Sequence, residues 1–266
     1  MMGEYKVHEY DVEEVQAKIF EIFLEFDKIC KRHNLSYTLE GGTLLGAVLH
    51  KGFIPWDDDM DIIMLRKDYD RFCEVANNEL PKPFSFMNMD MSDEYPFLFG
   101  KMFNNDTVYM AANVAHLNIP HGVFLDIFVE DNISLKTKMI HSRIVSAIGT
   151  VRYIKLGVEK FSPKHVLYAP LFALSIPKLT ALANRVMRWY DKEDTAYIYP
   201  LCESISSKPP LPRRMLTQLE PGVFNGFEVP IPVCHMWYLH KHYETPMELP
   251  PIASRHPTHG VVEIKL

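Results

Sequence analysis

Four aspartates fall within five positions of FIPWDDDMDIIM, residues 53–64, and the chain then runs directly into apolar residues. Carboxylates repel one another, and each is costly to take out of water unless it is paired or bound to a metal. Such a cluster must either stay in a surface turn, where most charge clusters lie, or meet a compensating cation. On a strand, side chains alternate, so Asp59 and Asp61 share one face and Met60 and Ile62 the other. Asp57 joins the acidic face if the strand starts that early. A hard, oxygen-binding ion, Mg2+ or Mn2+, suits that arrangement.

A further carboxylate sharpens the choice. Asp126 sits in VFLDIFV, with three apolar residues on each side, which reads as a strand buried on at least one face. There it needs either a core Arg or Lys or a place beside Asp59 and Asp61 as a third metal ligand. Two familiar loops fail on spacing. An EF-hand requires Gly at its sixth position, where Ile62 stands. A Walker A loop opened by Gly41 and Gly46 would need Lys and Ser/Thr where Ala47 and Val48 stand.

Around these segments the pattern is mixed. Asp11 and Glu14 open a capping-box-like start, and apolar residues from Val15 to Cys30 recur at helical spacing, predicting a helix over 12–33. Strands are expected at 36–40, 58–64, 84–89, 97–103, 107–111 and 122–130. A glycine turn with a short helix is expected over 41–52, and a helix over 66–80. Beyond residue 134 the pattern is helical to about Asp191, and a Pro-rich tail follows. The expected fold is α+β: a mixed sheet flanked by helices over 1–133, then a helical region and C-terminal segment over 134–266 that pack on it.

The 47% hydrophobic content supports a full core, and the net charge of −6 argues against a nucleic-acid partner. Cys30, Cys73, Cys202 and Cys234 have neither zinc nor redox spacing, so free thiols are expected. With no apolar leader at the start, a cytoplasmic location follows as an expectation. The apolar run 165–179 is broken by Pro170 and Pro177 and is too short to span a bilayer, so it reads as a core helix or a membrane-surface helix.

The stretch EGGTLLGAVLHKGFIPWDDDMDI closely resembles the signature of the LicD family, the phosphocholine transferases related to fukutin. The resemblance continues through KMFNNDTVYM, HGVFLDIFVED, PGVFNGFEVPIP, YLHKHYETPMELPP and SRHPTH. It implies a metal-dependent nucleotidyltransferase fold that moves phosphocholine or a related phospho-alcohol from a CDP-activated donor, CDP-choline foremost, to a hydroxyl of a cell-surface glycan. The acceptor would be a free or lipid-linked glycan, as in lipopolysaccharide or teichoic acid, met by peripheral contact at the inner face of the membrane.

Residue by residue, the resemblance makes Asp59, Asp61 and Asp126 the catalytic metal ligands, with Asp57 an outer ligand. Gly41, Gly42 and Thr43 become the phosphate-facing turn, and Lys101 a neutraliser of the diphosphate. Thr107 matches a kept position, and His50, Lys51 and Arg66 lie near the carboxylates in sequence. Trp56, Tyr95, Tyr109, Trp237 and Tyr243 are available for a cage around a quaternary ammonium. The chain departs from the family at Tyr243–Met247, where Tyr-Gly-Asp-Tyr-Met is usual, and at Val129 and Glu130, which bears on substrate identity. Two other functions fit the same residues: nucleotide transfer with release of pyrophosphate, and a non-catalytic glycan- or partner-binding protein.

Overall fold

The computed structural model describes residues 10–203, 209–243 and 245–266. Helix α1 (Val12–His33) begins where the Asp11 side chain accepts the Glu13 amide at 2.9 Å, and it ends at Asn34, whose φ is 54°. Its apolar stripe is fully used: Val15, Ile22, Phe23 and Phe26 are completely buried. Then follow β1 (Thr38–Leu39), α2 (Gly41–Leu49), β2 (Asp61–Leu65), α3 (Arg66–Glu79), β3 (Phe84–Met87), β4 (Gly100–Asn104), β5 (Val108–Ala111) and β6 (Val123–Ile133). The second half comprises α4 (Lys138–Lys155), α5 (Ala169–Phe172), α6 (Ile176–Met187), β7 (Tyr197–Tyr199), β8 (Leu211–Pro212), α7 (Arg214–Thr217), β9 (Leu219–Phe224), β10 (Phe227–Pro232), α8 (His235–His242) and β11 (Val261–Lys265).

The main sheet has the order β1-β2-β6-β4-β3, and β6 runs on to pair with β7, which pairs with β8. Among the described residues only β2 and β6 pair in parallel, so the sheet is mixed and the fold α+β. On β6, Leu125, Ile127 and Val129 are fully buried and alternate with Phe124, Asp126 and Phe128. Helices α1 and α3 pack on this strand. The parts after residue 133 are built into the same body. β7 extends the sheet, β11 returns to pair with β5, and Val145, Leu179, Phe224 and Tyr238 join the core that holds Ile19 and Phe23. Among the described residues no single helix is long and apolar enough to cross a membrane.

One expected boundary is corrected. The strand expected at 58–64 starts at Asp61, so Asp57 and Asp59 lie in the approach to β2 and not on a strand. The turn at Pro55 and Trp56 keeps the chain off the sheet there, and the Gln16 amide fixes it to α1 through the carbonyls of Ile54 and Asp57, at 3.0 and 2.8 Å.

The same approach is wedged under α2. A Cβ on Gly46 would stand 2.4 Å from the Gly52 carbonyl oxygen and 3.1 Å from the Ile54 nitrogen, both backbone atoms. Helix propensity favours Gly46→Ala by about 0.5–1 kcal/mol, but forcing the backbones apart costs about 1–3 kcal/mol. The variant is therefore expected to lower the urea midpoint. An unchanged or raised midpoint would mean that residues 52–54 do not press on α2.

Candidate active site

Asp61, Asp126 and Lys101 form one row across three adjacent strands. Asp61 is the register partner of Asp126 on parallel β2 and β6, and Asp126 that of Lys101 on antiparallel β6 and β4. Register partners project to the same face of a sheet. Lys101 Nζ donates to Asp126 Oδ1 at 2.5 Å, and both residues are buried. The lysine takes up the compensating role open to a core base at Asp126. Its ammonium also lies 3.5 Å from the centre of the Phe124 ring, 4.8 Å from Phe97 and 5.4 Å from Phe99.

The remaining carboxylates crowd the near end of the row. Burial, then the charges of Asp59, Asp126, Glu40 and Asp57, push Asp61 well above the ordinary carboxylate range. Burial and the neighbouring Asp59 raise Asp57 to about 8. Burial raises Asp126 too, against the pull of Lys101. Thr43 supports the row from below: its hydroxyl accepts the Asp61 amide at 2.9 Å.

Asp58 points away from this cluster and behaves oppositely. It accepts hydrogen bonds from the hydroxyls of Tyr10 and Tyr109, the latter at 2.6 Å, and His259 Nδ1 lies 3.2 Å from its Oδ1. Burial alone would raise its pKa, but His259 and the two tyrosines hold it far below the carboxylate range. His259 is raised in turn: Asp58 overcomes the opposing effect of burial. The imidazole's other nitrogen faces Asp59 Oδ2 at 4.0 Å.

Asp58→Ala should cost about 1–3 kcal/mol, since it strips the acceptor from the buried Tyr109 hydroxyl and the counter-charge from the half-buried His259. Asp58 stabilises the fold above its unfolded pKa of about 3.9, and this is lost as pH falls through the depressed folded value. His259 stabilises it below about 6.5, lost as pH rises through the raised value. The gap between wild type and Asp58→Ala should therefore be widest between roughly pH 4 and 6.5 in urea melts. A gap independent of pH would separate Asp58 from His259.

Gly41 and Gly42 form the other wall. Gly41 has φ +52°, and a Cβ there would come within 3.8 Å of Asp61 Oδ2. A Cβ on Gly42 would stand 2.8 Å from Asp57 Oδ2, closer than a side chain tolerates. The Tyr238 hydroxyl receives the Gly41 amide at 3.1 Å and donates to Glu40 Oε1 at 3.4 Å. A cavity of about 570 Å3 opens at this end, reached by Gly42, Asp57, Trp56, His50 and Tyr243. At the far end a second cavity of about 270 Å3 reaches Asp126, Lys101, His259, Phe97 and Phe124.

Carboxylate oxygens are the right donors for Mg2+ or Mn2+, and the raised Asp57 and Asp61 mark negative charge that lacks a counter-ion. Among the described residues, however, no three His, Cys, Asp or Glu side chains are placed so that they could hold a metal ion by themselves. That agrees with how Mg2+ is commonly held, by one or two carboxylates completed by substrate phosphates.

Other expectations fall elsewhere. Arg66 neither lies at the surface nor faces the cluster: it is buried and bonded to Asp131 at 2.7 and 2.9 Å. The Thr107 hydroxyl turns back to the Asn104 carbonyl. Lys51 is exposed, and His50, also exposed, stands at the larger cavity. Of the five aromatic candidates, Trp56 and Tyr243 line the larger cavity and Tyr109 the smaller. Tyr95 is fully buried and Trp237 exposed. The departure at 243–247 includes Glu244, which lies outside the described residues. Sequence reasoning missed Asp58, Tyr10, Glu40, Tyr238 and His259. The signal for Asp58 was its place between Asp57 and Asp59, which alternation turns the other way.

A glycine turn, a short helix and two carboxylates in register on adjacent strands of a mixed sheet match the layout that the sequence resemblance implies. Residues 34–146 match the family model described as LicD/FKTN/FKRP, nucleotidyltransferase domain. The chain is 26% identical over 255 residues to the lipopolysaccharide cholinephosphotransferase LicD of Haemophilus influenzae, covering 92% of this chain and 95% of that protein. Shorter matches reach uncharacterized proteins of Rickettsia typhi (33% over 75 residues) and Rickettsia prowazekii (34% over 68 residues). Each covers about a quarter of either chain: 28% and 24% for the first, 25% and 26% for the second.

Proposed function

We propose that this protein transfers a phospho-alcohol, phosphocholine foremost, from a CDP-activated donor to a hydroxyl of a cell-surface glycan. The observation that carries the reading is the Asp61–Asp126–Lys101 row with a cavity at each end, room for two substrates on either side of the carboxylates. The near full-length likeness to a cholinephosphotransferase supports the choice of head group.

In this reading the N-terminus of α2 offers the amides of Gly42 and Thr43 to the donor's diphosphate, at a glycine turn that admits close approach. Asp59 and Asp61, completed by those phosphates, would hold Mg2+ or Mn2+, with Asp57 as an outer ligand. The ion supplies neutralisation of the charge that grows on the phosphate oxygens. Lys101 fixes Oδ1 of Asp126 and leaves Oδ2 to accept the proton of the acceptor hydroxyl. The hydroxyl oxygen bonds to the phosphorus bearing the alcohol, the bond from that phosphorus to the bridging oxygen breaks, and CMP leaves. Glu40 and Tyr238 hold the glycine turn in place.

Incubation with a panel of CDP-alcohols and nucleoside triphosphates, with and without Mg2+, tests the assignment. CMP release from a CDP-alcohol, dependent on Mg2+ and acceptor, is the expected result. Pyrophosphate release from a triphosphate would move the assignment to nucleotide transfer. Neither product, with folded protein, would leave the binding-protein reading.

A further inference from the structure

The turns between α4 and α6 hold large apolar side chains in solvent. Phe161 is 57% exposed, Val166 61% and Leu167 85%. Pro170 and Ala173 continue the exposed face. The turns cannot roll inward, because their other side is already packed. Leu171, Phe172 and Leu174 lie against the core, Phe161 meets Phe172 edge-on at 5.7 Å, and Tyr168 stacks on buried His165 at 6.2 Å. The arms Pro163–Phe172 and Ile176–Met187 meet at 93°, and neither is long enough to span a bilayer.

Charge says what this face meets. From residue 155 to 185 the chain carries Lys155, Lys160, Lys164, Lys178 and Arg185 against a single acid, Glu159, in a protein of net charge −6. Glu159 lies 3.4 Å from His165, and the four lysines are exposed. A symmetric pairing of two copies through this face would set the two basic rims against each other. An anionic lipid surface satisfies both the apolar centre and the rim.

Helix α4, which leads into this face, packs against a residue that lines the site. Tyr153 on α4 packs edge-on against Phe97, at 6.3 Å, and Phe97 lines the cavity beside Asp126. The His116 ring lies 2.7 Å from the Leu156 carbonyl at the end of α4.

We propose that Phe161, Val166, Leu167 and Pro170, rimmed by Lys155, Lys160, Lys164 and Lys178, dock on the surface of an anionic bilayer. The docking does not depend on which group the site transfers. Each basic residue near an anionic leaflet strengthens binding roughly five-fold, so the interaction should weaken steeply with salt.

Flotation of the whole protein with phosphatidylcholine vesicles, with and without phosphatidylglycerol, tests it without reference to turnover. Wild type should float with the anionic vesicles at low salt. The double variant Val166→Glu, Leu167→Glu should reduce flotation on the order of ten-fold, through lost apolar contact and added repulsion. Val223→Glu, at an exposed position of β9, should leave it unchanged, with matching thermal melts showing that all three are folded. No flotation of wild type, or equal flotation of wild type and the double variant, would overturn the proposal. So would a wild-type dimer in light scattering that the double variant dissolves while vesicles bind neither, since that gives the face to a second copy.

Discussion

Asp61→Asn is expected to abolish turnover while leaving the protein folded and, in metal-free buffer, more stable than wild type. Asn preserves the size of the side chain and its place in the row beside Asp126. It removes the charge that the proposed divalent ion needs, and losing such an electrostatic stabiliser costs on the order of 10³-fold or more. Stability should move the other way. Burial and four neighbouring carboxylates hold Asp61 well above its ordinary range, so ionising it in the folded state works against folding at neutral pH. Turnover assays and thermal melts on one preparation check both halves. Near-normal activity would remove Asp61 from the chemistry, and a lower melting temperature would mean that its charge is compensated in the resting protein.

Lys101→Met is expected to have the opposite effect on stability. Methionine keeps the length and the apolar contact with Phe97, Phe99 and Phe124 but deletes the cation bonded to Asp126. Breaking a buried pair by removing one partner costs about 3–5 kcal/mol, because the other charge is left alone. Asp126 can escape part of that cost by taking up a proton. Without Lys101 its pKa, already raised by burial, rises further. The variant's deficit is therefore present above that pKa and closes as pH falls through it. Adding Asp126→Asn should restore much of the stability without restoring turnover. If the double variant were as unstable as the single one, the loss would come from packing and not from the stranded carboxylate.

Much of this arrangement was legible in the chain, for reasons that particular residues make plain. Helix α1 is given by an apolar stripe at 3.6-residue spacing. β6 is given by a run so apolar that it has to be buried, which made Asp126 conspicuous. The cluster from Asp57 to Asp61 announced a charge problem. Periodicity assigns faces, however, and not partners. Whether Lys101 or a metal answers Asp126 depends on the register of β4 against β6, which no local pattern fixes. Arg66 reads as a surface residue beside the aspartates until Asp131, 65 positions on, is brought against it. His259 meets Asp58 across 201 positions, through the return of β11 to β5. The start of β2 was missed because the tie from Gln16 that holds residues 54–57 off the sheet comes from a different element.

The central claim is that the aspartates between α2 and β6 hold a divalent ion for transfer of a phospho-group. Mn2+ titration followed by electron paramagnetic resonance, with CDP present to complete the coordination, tests it most directly. Wild type should deplete the free Mn2+ signal with saturable stoichiometry, while Asp61→Asn, folded by its melt, should leave the signal of free ion in place. Equal Mn2+ binding by the two proteins, or none by wild type with CDP bound, would contradict the account.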